Sequence, residues 1–239
     1  MNIALSFFLL PLISCLLMLC ISEHKRLLAF LLSLLPLAIL LVQGQSVLGQ
    51  KIDLVWSQDL SIHFHLAIDT LGMLFLYLSS IIIPLSILVE QRQERSFYSL
   101  ILLLQALLGA LFTSQDLLFF TVFFESSLFP LYFLLRIWGK EQKERASLTF
   151  ILYMISGSIF LIAALLSIYL LLGSFDIKTL QHSTEKLGGA WLLCGIFLFA
   201  FLVKTPSFPF HGWLPESYYQ ASATGTILLS SLLSKAGIF

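Results

Sequence analysis

The chain has 239 residues, 59% apolar and 11% charged, with a formal net charge of zero. Soluble domains run to about half apolar and about a quarter charged, so this composition excludes a water-soluble monomer. The balanced charge excludes a nucleic-acid binder, which needs a basic stripe. Three cysteines without a Cys-x-x-Cys motif exclude a disulfide framework and a cysteine metal centre; Cys15, Cys20 and Cys194 are expected to be small buried hydrophobes.

Apolar runs of helical length recur along the chain. The first, 3–21, has Lys25 and Arg26 after it and no basic residue before it. A secretory leader has the reverse order and a small-residue cleavage site, so this run is read as a retained first helix. Further runs fall near 27–42, 71–89, 97–113, 117–135, 148–172, 191–210 and 226–239. At about 1.5 Å per residue, all but the last can span a hydrocarbon layer of ~30 Å. Barrel strands would place a polar residue at every second position, which these runs do not. The expected fold is all-α, a polytopic transmembrane bundle of about eight helices.

The connections orient it. Those after the first, third and fifth helices hold Lys25, Arg26, Arg92, Arg95, Arg136, Lys140, Lys143 and Arg145, while the alternate ones hold Lys51, Lys178 and Lys186. The positive-inside rule places the first set in the cytoplasm and the N-terminus outside. The 43–66 connection, the longest, is expected to form a small external element with Asp53, Asp59, His63 and His65. The two histidines would share one face of a strand, but no third ligand stands near them and no metal is expected. Asp69 and Asp116 immediately precede helices and are expected to cap them. The last run reaches only about 21 Å, so the chain is expected to be a fragment or one product of a split reading frame.

Three charges lie inside apolar runs: Glu125, ninth residue of 117–135; Lys204, late in the seventh run; and Lys235 in the last. Each would cost on the order of 3 kcal/mol facing lipid, so all three are expected to face the protein interior. A static Glu–Lys pair that fixes helix packing is one reading. The other is a proton switch: a lysine beside a carboxylate holds its proton, and burial favours the neutral amine once the carboxylate withdraws. Pro206 and Pro209 follow Lys204 within five residues and should break the seventh helix. Carbonyls freed there call for water, and Thr205, Ser207 and His211 could pass protons through a hydrated break; a merely hydrogen-bonded histidine is the plainer reading of His211.

Several of these stretches resemble one family. Leu117–Phe120, Phe123-Phe124-Glu125, Pro130–Leu134 and Ile137-Trp138-Gly139 are similar to the glutamate helix of the antiporter-like subunits of respiratory complex I. Val203–Glu216, reading Val-Lys-Thr-Pro-Ser-Phe-Pro-Phe-His-Gly-Trp-Leu-Pro-Glu, resembles their broken helix, and Gly225–Gly237 their next one. Gly212–Pro215 and Ser174-Phe175-Asp176 favour subunit M, the mitochondrial chain 4, over its sister subunits. The likeness runs from about Asp69 to the end; before it only hydropathy matches.

The resemblance implies a division into N-terminal helices with an external loop (1–68) and an antiporter-like proton-translocation unit (69–239), comprising most of the first of two inverted repeats in a family of about fourteen helices. It implies that Glu125 and Lys204 form a pair whose separation modulates the lysine, that Lys235 relays protons onward, and that His211 lies near the break. It implies an inner-membrane subunit of an NADH:quinone oxidoreductase with sister antiporter-like subunits as partners. Flavin, iron–sulfur clusters and quinone would sit in those partners; this chain has no cysteine cluster or Gly-rich fingerprint and is expected to hold no cofactor. Tyr218, Gln220 and Ser222 depart from the family pattern, where His, an acid and Pro are usual. The alternatives are a subunit of a multi-subunit cation/proton antiporter or membrane-bound hydrogenase, which share the Glu/Lys core, and a non-functional fragment.

Overall fold

The computed structural model describes residues 3–20, 25–57, 62–90, 94–177, 179–180 and 190–239. Asp59, Arg92, Lys178 and Lys186 lie outside the described residues. The chain forms an all-helical bundle with one β-hairpin at its edge. Helix α1 is Ile3–Cys20. The second run is one span in two pieces, α2 (Lys25–Ser33) and α3 (Leu35–Gln43). Pro36 has no N–H to continue the ladder, and the Leu34 N–H tightens the joint by donating to the carbonyls of Phe30 and Leu31.

The connection between α3 and the next helix contains strands β1 (Lys51–Ser57) and β2 (Ile62–Ala67), paired antiparallel with Asp53 opposite His65. Helix α4 (Thr70–Val89) begins where the Asp69 carboxylate accepts the Gly72 N–H at 2.6 Å. Helix α5 is Arg95–Leu111. Helix α6 (Leu117–Trp138) begins at Asp116, whose carboxylate accepts from Leu118 N and Phe119 N. Both aspartates are the expected caps. Helix α7 (Lys143–Leu172) stops at Gly173, whose φ of 68° is the left-handed stop that glycine adopts freely.

Helix α8 (Ala190–Lys204) ends six residues before the expected limit, immediately ahead of Pro206. After the break come α9 (Trp213–Gln220) and α10 (Ala223–Leu228), capped by Ser222. A π turn over Leu229–Leu233 leads into α11 (Ser234–Ala236). Among the described residues, five spans, Ile3–Cys20, Lys25–Val47, Thr70–Val89, Leu117–Trp138 and Lys143–Leu172, are long and apolar enough to cross a membrane.

The outward surface carries many large apolar side chains. Leu152, Ile159, Leu166 and Leu170 of α7 are exposed, as are Leu16 and Leu19 of α1. A bundle in water would hide these groups; in lipid they face their own kind. Cys20 and Cys194 lie on that outer surface and only Cys15 is buried, so the expectation of three buried thiols holds for one. Inside, several buried serines return their hydroxyl protons to their own helix, as Ser79 does to Leu76 O and Ser127 to Phe124 O, so these cost little there. Gly109 of α5 lets α1 approach so closely that a Cβ would overlap the Phe7 carbonyl.

The connections sort onto two faces. On one, β2, the 113–116 turn and the 175–177 segment are joined by backbone bonds: Ala67 N to Thr113 O, Gln115 N to His65 O, Leu117 N to Phe175 O and Ile177 N to Gln115 O. On the other, the basic connections meet. The Trp138 indole donates to Glu94 at 2.7 Å, Lys140 N donates to Gln220 O, and the Arg26 guanidinium donates to Leu88 O.

Candidate proton relay site

Glu125 is carried by α6 about halfway along a helix that is capped at Asp116 and closed by Gly139. Lys204 is the last residue of α8, placed there by the proline that stops the helix. The two meet: Lys204 Nζ donates to Glu125 Oε1 at 2.8 Å. The lysine side chain is fully buried and that of the glutamate is 24% exposed. Lys204 Nζ also stands 4.7 Å from the centroid of the Phe124 ring, whose negative face suits a cation.

A third group completes the contact. Ser158 of α7 donates to Glu125 Oε2 at 2.5 Å and accepts from Lys204 Nζ at 3.0 Å. The pair is therefore held from three helices. Such a site can keep an ammonium and a carboxylate in hydrocarbon, and it can exchange a proton between groups already in hydrogen-bond contact.

The break beside Lys204 is satisfied locally. Pro206 offers no N–H. Ser207 N donates instead to Leu202 O at 3.3 Å, and the buried indole of Trp213 donates to Val203 O at 3.2 Å. Thr205 Oγ1 is buried against Gly237, with no hydrogen-bond partner among the described residues.

Two expected members do not join the site. Lys235 is exposed; its ammonium donates to Ser230 O at 2.7 Å and Ser234 Oγ at 3.2 Å. The buried stripe of the last helix runs through Leu228, Leu229, Leu232, Leu233 and Ala236, and Lys235 falls off it. This corrects the expectation that Lys235 faces the interior. His211 is also exposed, its ring 5.9 Å from that of Phe208. It lies beyond the proline break and is not in contact with Lys204. Sequence reasoning missed Ser158: it is one of several serines in α7, and no pattern separates it from Ser156 or Ser167. Trp213 was noticed only as part of a motif, because its bond to Val203 exists only once the chain has turned back.

A second polar cluster lies on the hairpin face, around a cavity of about 290 Å³ lined by Asp53, His63, His65, Asp116, Asp176 and Thr179. His63 pairs with Asp53 at 2.9 Å and His65 with Asp176 at 3.5 Å. Burial pushes the Asp116 carboxyl above the usual carboxylate range, partly offset by the two backbone N–H groups it accepts.

Comparison with known proteins identifies the family. Residues 114–239 match the family model described as NADH:quinone oxidoreductase/Mrp antiporter, TM. The chain is 32% identical over 188 residues to the NADH-quinone oxidoreductase subunit M of Rickettsia prowazekii (strain Madrid E), covering 76% of this chain and 38% of that protein. It is 33% identical over 184 residues to the NADH-ubiquinone oxidoreductase chain 4 of Prototheca wickerhamii, covering 75% and 35%. A chain of respiratory complex I from Thermus thermophilus superposes with a TM-score of 0.87 at 30% identity, covering 99% of this chain and 51% of that one. The fold also recurs, at 20% identity and a TM-score of 0.85, in the Mrp complex from Dietzia sp. DQ12-45-1b. The chain thus spans between about a quarter and a half of the proteins it matches. It belongs to the NADH:quinone oxidoreductase/Mrp antiporter transmembrane family.

Proposed function

We propose that this chain is a proton-conducting membrane subunit of an NADH:quinone oxidoreductase, with residues 69–239 as its antiporter-like unit. The observation that carries this reading is the buried Glu125–Lys204 contact, closed by Ser158, in the middle of an apolar bundle. Buried ion pairs stabilise weakly, so stability is a poor reason to keep one in lipid; a titrating pair is a good reason. The naming of the relatives as subunit M and chain 4 supports a quinone reductase over a cation/proton antiporter. Partner subunits in the same inner membrane would hold flavin, iron–sulfur clusters and quinone, and none of that redox chemistry is assigned to this chain. Lys235 and His211 enter as later groups on the route, reached through water rather than by direct contact.

Deleting the chain and restoring it in trans tests the function. In inverted membrane vesicles, NADH-driven acidification is expected to fall at least about tenfold on deletion and to return on complementation, the scale on which a positioned proton group acts. Loss of sodium/proton exchange with NADH-driven pumping intact would overturn this reading in favour of the antiporter.

The proposed orientation is N-terminus outside, with Lys143 in the cytoplasm. A single cysteine at Lys143 is expected to label in inverted vesicles and to be protected in intact cells, because the basic connections gather on that face. Labelling from outside only would reverse the map.

A further inference from the structure

Ser158 follows Gly157 on α7, and the glycine sets the geometry. A Cβ at Gly157 would stand 3.2 Å from Ala200 O, 3.3 Å from Lys204 Cγ and 3.4 Å from Val203 Cβ. The two helices therefore run close together here, and Ser158 Oγ is delivered among three partners. It lies 2.5 Å from Glu125 Oε2, 3.0 Å from Lys204 Nζ and 2.8 Å from Met154 O. The titratable groups facing it are Glu125 from α6 and Lys204 from α8.

A hydroxyl has one proton and two lone pairs. Ser158 can donate to Glu125 or to the Met154 carbonyl, not fully to both. An ionised carboxylate is the stronger acceptor, so the proton turns to Glu125 while the lone pairs hold the Lys204 ammonium. Once Glu125 is protonated it needs an acceptor, and the Ser158 proton turns to Met154 O. Should Lys204 be the neutral partner, its amine accepts from the same hydroxyl. Each change needs only rotation about Cβ–Oγ and moves no heavy atom.

We infer that Ser158 is a positioning residue of the relay, a hydroxyl rotor that keeps Glu125 and Lys204 hydrogen-bonded in either protonation state. This rests on the reading of that pair as a proton relay. Without the rotor, one state of the pair is left with an unsatisfied polar group in hydrocarbon, and the protonation equilibrium shifts toward the other.

The test is the pH profile of NADH-driven pumping in vesicles whose sole copy of this chain carries Ser158→Ala, Ser158→Thr or Ser167→Ala. Ser167 lies on the same helix and donates only to Ala163 O, so it controls for helix packing. Ser158→Ala is expected to lower pumping about tenfold at the wild-type optimum and to move the profile by about one pH unit, the scale of one hydrogen bond to a charged group. Ser158→Thr, which keeps the hydroxyl, is expected to restore the wild-type profile, and Ser167→Ala to leave it unchanged. If Ser158→Ala does not assemble, Ser158→Cys, with its weaker donor, carries the same expectation. An unmoved profile in the alanine or cysteine variant overturns the inference. If Glu125 and Lys204 variants also pump normally, the underlying reading has failed; if they stop pumping while the Ser158 profile stays put, only the rotor has failed.

Discussion

Replacing Glu125 with Gln is expected to remove proton pumping while the subunit stays folded and assembled. Glutamine has nearly the same shape: its carbonyl can still accept from Lys204, as Oε1 does at 2.8 Å, and its NH2, standing where Oε2 now accepts from Ser158 at 2.5 Å, can donate to the serine oxygen once that hydroxyl turns to Met154 O. The contacts that knit α6, α7 and α8 are thus largely kept. What is lost is the group that can take and release a proton. Positioned acid–base groups contribute about 10²- to 10⁴-fold, so pumping is expected to fall to a tenth or less. The measurement is NADH-driven acidification of inverted vesicles, scaled to the amount of chain in the purified complex. Wild-type pumping by the variant would reduce the glutamate to a structural counter-charge.

Lys204→Arg is expected to be as severe, for a different reason. Guanidinium keeps the positive charge and can pair with Glu125 through two donors, so electrostatic support of the fold survives. It does not release its proton under working conditions, so the cycle stalls. Space is also short: the Phe124 ring lies 4.7 Å from Nζ, and the α7 backbone at Gly157 lies against the side-chain stem. Lys204→Met is the complementary variant. It leaves Glu125 without its cation, and removing one partner of a buried pair costs about 3–5 kcal/mol, so the abundance of the complex should fall along with pumping. Pumping and abundance measured side by side separate the two. Normal pumping with arginine would make Lys204 a static charge.

The two residues that meet were legible because hydrocarbon is unforgiving. A charge inside an apolar run must find a partner, which singled out Glu125, Lys204 and Lys235, and the family resemblance named Lys204 as the partner of Glu125. The caps at Asp69 and Asp116 and the break at Pro206 were legible for a similar reason: each is a local rule with few exceptions. Lys235 obeyed the same hydropathy rule and yet faces outward, because a run of apolar residues says that a helix is in lipid but not which side of it is covered. Its side chain bends back to Ser230 O, a bond between near neighbours that hydropathy cannot register. The strand pairing of 51–57 with 62–67 was anticipated only as an external element, since the alternation Ile62-His63-Phe64-His65-Leu66 is too short to stand out. Ser158 was invisible because its importance comes from Gly157 beside it and from two residues distant in sequence.

The two ends of α6 carry one more consequence. Its N-terminal end is held by the Asp116 cap and by the backbone bond from Leu117 N to Phe175 O; its C-terminal end is held by the bond from Trp138 to Glu94. Glu125 therefore rides on a rod pinned at both ends. Lys204 sits where α8 stops, at the tip of a flexible four-carbon stem and next to a stretch without helical bonds. The degrees of freedom in the pair are unequally shared. In the relay proposed above, Glu125 would then be the stator and Lys204 the moving contact, with the conformation of Thr205 to Gly212 setting the distance between them.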